Sequence, residues 1–167
     1  MKKTHWVLVG ILLAWCANAY AGAPRQFPVA PTGKTSMVAT SAKVRIEVIV
    51  TTREVNIREA DRDNADIPIT SCTYSRIPCS VVDNLLIIVK GKQIVVPHSA
   101  FLDLADINTA RITITKNKYS LRLEGGDASE SYIAVIGFDG RRVRSKRVYS
   151  GEDNALLQKT VYYRVEM

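Results

Sequence analysis

The chain has 167 residues, of which 47% are hydrophobic, 23% charged and 7% aromatic, with a formal net charge of +7. That length suits one domain, and the apolar fraction is too high for a disordered polymer and too dispersed for a multi-span membrane protein. The 3 cysteines are too few for a disulfide scaffold.

Residues 1–21 read as a secretory signal peptide. Lys2 and Lys3 give a positive start, Trp6 to Cys16 is an uncharged apolar run, and Ala19-Tyr20-Ala21 has the small-x-small form that signal peptidase cuts. The bulky Trp15 in front of Cys16 argues against a lipid-anchored cysteine. The short dilysine leader has a bacterial look. The expected location is therefore periplasmic or secreted, with cleavage after Ala21 and no transmembrane segment left behind. Loss of Lys2 and Lys3 takes the formal charge from +7 to +5. His98 then stands as the single histidine, and Cys72 and Cys79 are expected to pair in an oxidising compartment.

Residues 22–42 hold Pro24, Pro28, Pro31 and Gly33 among Ser, Thr and Ala, without a packing period, and are expected to form a flexible N-terminal arm. From residue 43 to 167 a single all-β domain is expected. Val44, Ile46, Val48 and Val50 alternate with Lys43, Arg45 and Glu47, the signature of a half-buried strand that Val55 and Ile57 continue. Ile67 and Ile69 flank Pro68, which suits an edge. Leu85 to Val89 and Ile94 to Val96 around Gly91 predict a hairpin. Ile112 and Ile114, then Tyr119, Leu121 and Leu123, predict a second one around Asn117. Tyr132 to Phe138 is apolar on both faces, as a central strand would be, and Asp139-Gly140 turns it into Arg142 to Tyr149. Val161, Tyr163 and Val165 close the pattern. Ser99 to Leu104 and Asp153 to Lys159 are the two stretches expected to be short helices. The fold class is thus an antiparallel β-sandwich or barrel-like fold of about 8–9 strands with one or two short helices.

The chemistry that is missing narrows the function. One histidine cannot supply a two-histidine metal site, and no metal or cofactor is expected. His98 beside Ser99 does not make a catalytic pair, because neighbouring side chains diverge. Gly-rich phosphate loops, GxSxG and CxxC are all absent. Paired carboxylates could serve a glycosidase, but the acids fall mostly in loops and on solvent faces. Asp61, Asp63 and Asp66 could offer oxygens to calcium, yet the spacing fails the EF-hand pattern, and a solvated turn is the simpler reading. Gly125-Gly126-Asp127-Ala128-Ser129-Glu130 reads as a flexible connection. No enzyme activity is expected.

Two features could bind. Cys72-Thr73-Tyr74-Ser75-Arg76-Ile77-Pro78-Cys79 closes a small ring with Tyr74, Ser75 and Arg76 at its tip. A cyclised loop presents side chains at low entropic cost. These eight residues resemble the reactive loop of Bowman–Birk protease inhibitors, which has the form Cys-Thr-x-Ser-x-Pro. The resemblance implies that Tyr74 enters a specificity pocket and that Ser75 follows the scissile bond. The ring is one residue shorter than in that family, and Ile77 stands where the shaping proline belongs.

The second feature is Arg141-Arg142-Val143-Arg144-Ser145-Lys146-Arg147. On a strand, Arg142, Arg144 and Lys146 would share one face and form a cationic stripe. The expected function is an exported β-domain that acts by binding, as an inhibitor or immunity-type protein against an envelope-acting enzyme. At +5 its protein partner is expected to be acidic. The alternative is a non-catalytic accessory protein docked on an anionic glycan or lipid surface through the basic strand. Nucleic acid is not an expected partner, since no aromatic residues interleave the cations.

Overall fold

The computed structural model describes residues 25–56, 72–73, 76–116 and 118–163. Two antiparallel sheets make the fold. The larger runs β1(Gln26–Pro28)–β6(Ile107–Thr115)–β7(Lys118–Gly125)–β8(Tyr132–Phe138)–β9(Val143–Ser150)–β10(Leu156–Val161). The smaller runs β2(Gly33–Ser41)–β3(Val44–Val55)–β4(Cys79–Val89)–β5(Lys92–Gln93). The sheets stay open at their edges, so the architecture is a sandwich and not a closed barrel.

The period-two pattern explains the core. Val44, Ile46, Val48 and Val50 on β3 turn inward with Leu85, Ile87 and Val89 on β4. They meet Ile112 on β6, Leu121 and Leu123 on β7, and Ala134, Ile136 and Phe138 on β8, all in one apolar cluster. Burying an aliphatic side chain of this size stabilises a fold by about 1.5–3 kcal/mol, and the cluster joins both sheets. Tyr132 to Phe138 is an interior strand, as its two-faced apolarity predicts. The β6–β7 and β8–β9 hairpins fall where the turn signals put them.

Four expectations need correction. The arm expected over 22–42 contributes two strands: β1 pairs with β6, and β2 pairs with β3 along its whole length from Gly33↔Thr52 to Ser41↔Val44. The helix expected over Asp153–Lys159 is instead the turn into β10, which pairs with β9. Ser99–Leu104 is not α-helical either, and a single 3-10 turn spans His98–Ala100. Ile94–Val96 adds only one isolated bridge, Val95 to Arg142, so the partner of β4 is the short Lys92–Gln93 segment. The leader, Ile57, the Ile67–Ile69 segment, the Asp61–Asp66 acids and Val165 lie outside the described residues. Among the described residues no helix is long and apolar enough to cross a membrane.

Candidate functional site

The strand ends divide the sandwich into two poles. At one pole lie the start of β4, the start of β6, the β7–β8 connection and the β9–β10 turn. The Cys72–Cys79 disulfide is formed there, with Cα atoms 5.7 Å apart.

The residue that organises this pole is Asp106, which no sequence motif marks. It is 2% exposed, and its backbone has φ 47°, a left-handed conformation that Asp tolerates better than most residues. Every polar atom of Asp106 is engaged. Oδ2 accepts from the Thr73 N–H at 2.8 Å and Oδ1 accepts from the Ser80 N–H at 2.9 Å. Its N–H donates to the Ser80 carbonyl at 2.6 Å, and its carbonyl accepts from the Gly126 N–H at 3.1 Å. One buried carboxylate therefore grips the disulfide ring on both sides. Charge-assisted bonds of this kind are about twice as strong as neutral ones.

The ring is tied further along its length. The Arg76 N–H donates to the Thr73 carbonyl at 3.0 Å. The Arg76 guanidinium donates to Asn108 Oδ1 at 2.9 Å, and Ser80 Oγ donates to the Pro31 carbonyl at 2.6 Å. Arg76 thus lies beside β6, while Tyr74 and Ser75 are outside the described residues. An open cleft of about 550 Å³ runs along this flank, floored by Val29, Ile107 and Asn108 and walled by Arg76, Ile77 and Pro78. Cys72, Cys79 and Asp106 bring their ligand-type atoms together, but both sulfurs are spent in the disulfide and both carboxylate oxygens on amides.

The segment 125–130 is not a slack connection. Ala128–Glu130 forms a 3-10 turn, and Gly126 has φ 75° with the Glu130 carbonyl only 2.3 Å from where a Cβ would stand. Its neighbour Tyr132 donates to the Ala105 carbonyl at 2.6 Å and accepts from the Ala105 N–H at 3.1 Å. Burial pushes the phenol well above its ordinary range; the bond to Ala105 opposes this, while the Asp106 and Asp103 charges reinforce it. Tyr132 is therefore a fixed neutral group and not a base. His98 is no better placed: its ring stands edge-on to Phe101 at 5.8 Å, and Ser99 Oγ bonds to the Tyr162 hydroxyl at 3.4 Å.

The basic stripe is broken. Phe138 faces Val143, while Gly137 faces Ser145, so Arg144 is an extra residue in β9. The bulge resets the alternation. Arg144 and Arg147 stay exposed, while Lys146 turns inward to 0% exposure and forms an ion pair with Asp103. Nor is β9 an edge, because β10 covers it.

The cations gather instead at the second pole. Lys43 sits on the β2–β3 turn and Lys90 with Lys92 around the β4–β5 turn. Lys116 and Lys118 flank the β6–β7 turn, and Arg141, Arg142 and Arg144 shape the β8–β9 turn. Lys90, Lys92, Arg141 and Arg144 line one open cleft of about 800 Å³ between the sheets. Asp139 is the organiser here. Burial raises its carboxyl, but the amides of Arg141 and Arg142 and the Arg144 side chain, at 2.5 Å, outweigh that and hold it below its ordinary value.

No protein-family model matches this chain, and no curated protein or solved structure shows significant similarity to it. The ring pole is the acidic one. Among the described residues, Asp127, Glu130, Glu152 and Asp153 are exposed on its turns and Glu54 lies near the end of β3, outnumbering Lys34 and Arg76. The net positive charge conceals this segregation.

Proposed function

We propose that the chain is an exported, periplasmic or secreted β-sandwich without chemistry of its own, which acts as an inhibitor or immunity-type protein against an envelope-acting enzyme. The observation that carries this reading is the Asp106 clamp on the Cys72–Cys79 ring. A loop closed by a disulfide and held by a buried carboxylate loses little freedom on binding, so its contacts go into affinity. Tyr74, Ser75 and Arg76 are its contact residues. Its flank offers the Val29–Ile107 cleft for a partner side chain.

The charge around the ring selects the partner. Acidic turns surround it, so the complementary surface is cationic, in place of the acidic target that net charge suggests. The Asp106 carboxylate and the Tyr132 hydroxyl are both taken up in hydrogen bonds to backbone groups, which favours binding over catalysis.

The test is a titration. An enzyme that co-purifies with the chain from the envelope should lose activity to a one-to-one end point. Replacing Cys72 and Cys79 by Ser should weaken that complex strongly while the sandwich stays folded by circular dichroism. An unchanged end point with the ring open would refute the reading.

A further inference from the structure

We propose that the basic pole, opposite the ring, is a docking face for an anionic phospholipid surface. This inference is independent of the inhibitor reading, since the poles share no residue.

The cations at this pole come from four turns belonging to both sheets. Neighbouring strands are about 4.8 Å apart and packed sheets about 10 Å apart, so the turn tips spread over a two-dimensional end face. A plane of headgroups can meet several such tips at once. A linear polyanion is favoured by a cationic row along one strand. That row is what the bulge at Arg144 destroys, by sending Lys146 into its pair with Asp103.

Lys43, Lys90, Lys92, Lys116, Lys118 and Arg141 are exposed. The one carboxylate in the cleft, Asp139, is occupied in holding Arg144 and the turn amides. It shapes the turn and leaves a net positive face. Among the described residues the only large exposed apolar side chain bridged to these turns is Val95, beside Arg142, so docking rests chiefly on charge. Salt must weaken it, because the Debye length falls from about 10 Å at 0.1 M to about 3 Å at 1 M.

The experiment is vesicle sedimentation with the purified protein. Vesicles of phosphatidylcholine containing phosphatidylglycerol should carry it down at low salt and release it at high salt, and pure phosphatidylcholine vesicles should not bind it. Each basic residue near such a surface contributes about fivefold. The variant Lys90→Glu, Lys92→Glu, Arg141→Glu should therefore bind at least about 100-fold more weakly. A variant with the same charge change away from this pole, Lys34→Glu, Arg147→Glu, Lys159→Glu, should lose several-fold at most. Should the triple variant fail to fold, Lys92→Glu and Arg141→Glu singly should each cost about fivefold.

Equal losses in the two triple variants would overturn the proposal, since net charge alone would then explain binding. Release by inorganic phosphate at matched ionic strength would overturn it in favour of a free-anion site. Capture by soluble polyphosphate without capture by vesicles would overturn it in favour of a linear polyanion.

Discussion

Asp106 and Lys146 are the two residues on which the ring pole and the β9 face depend, and nothing in the sequence marks the burial of either. Asp106 follows an apolar Leu104-Ala105 step in a connection, with no spacing that marks a clamp. Replacing it by Ala leaves the Thr73 and Ser80 amides buried and unpaired. Each unmet buried group costs about 1–3 kcal/mol, so Asp106→Ala should lower stability by about 2–6 kcal/mol in urea unfolding. A loss within experimental error would contradict the clamp.

Lys146 is buried and Asp103 partly exposed, so the two halves of their pair are not equivalent. Asp103→Ala strands a buried ammonium and should cost about 3 kcal/mol. Lys146→Met leaves a carboxylate that water can reach and adds apolar packing, so it should cost less. Paired unfolding curves check the order.

Asp139 gives a pH dependence whose sign is fixed. Its folded-state carboxyl lies below its ordinary 3.8, so its stabilising contribution is present above that value and is lost as pH falls through the folded one. A carboxyl chemical-shift titration should show the depressed midpoint. Arg144→Gln should move it upward, since that substitution removes the guanidinium charge and changes its contact with the carboxylate. A midpoint at or above the ordinary value would contradict the geometry.

At the scale of elements, legibility follows the regularity of the alternation. β3, β7 and β8 read directly from their apolar periods, because their inward positions are large aliphatic or aromatic residues. β2 does not. Within Gly33–Ser41 only Met37 is fully buried, and apart from Val38 the remaining positions are small or polar, which is also what a linker looks like. Its strand state comes from pairing with β3, a long-range property. The Asp153–Lys159 segment misled for a related reason. Leu156 and Leu157 suggest an apolar helical face, yet both are exposed on an edge strand paired to β9.

The bulge at Arg144 is the costliest omission. One extra residue flips every later side chain in a strand to the other face, so a stripe inferred from strict alternation fails from that point on. Of the candidate binding residues, Arg142 and Arg144 remain at the basic pole, Lys146 leaves it, and Arg76 stays on the ring. The strand state of β2 has a direct consequence. A chain beginning at Lys43 would lack β1 and β2 and would uncover the Met37 side of the core. It should show no cooperative thermal transition. A dispensable arm would instead leave the transition temperature unchanged.

At the scale of the whole molecule, composition reports a sum while the fold creates a gradient. The formal charge suggests a uniformly basic protein, yet the turns at the two ends carry opposite signs. Strands of about ten residues at about 3.3 Å per residue put these ends about 30 Å apart, well beyond the screening length in physiological salt of about 8 Å. The poles therefore act as separate electrostatic surfaces. On both proposals together, a molecule held on a headgroup plane by its cationic turns would present the stapled ring away from that plane. Strand propensity, core positions and the disulfide were legible because they arise from neighbours in sequence. The gradient arises from which turns the topology collects at each end.

The central claim is that the ring pole binds a specific protein. The most direct test is to express the chain with a C-terminal tag in its own envelope and compare what co-purifies at low and at high salt. One protein should co-purify at fixed stoichiometry and survive the high-salt wash, with lipid present only in the low-salt eluate. Material lost entirely in salt, or no protein partner in either wash, would contradict it.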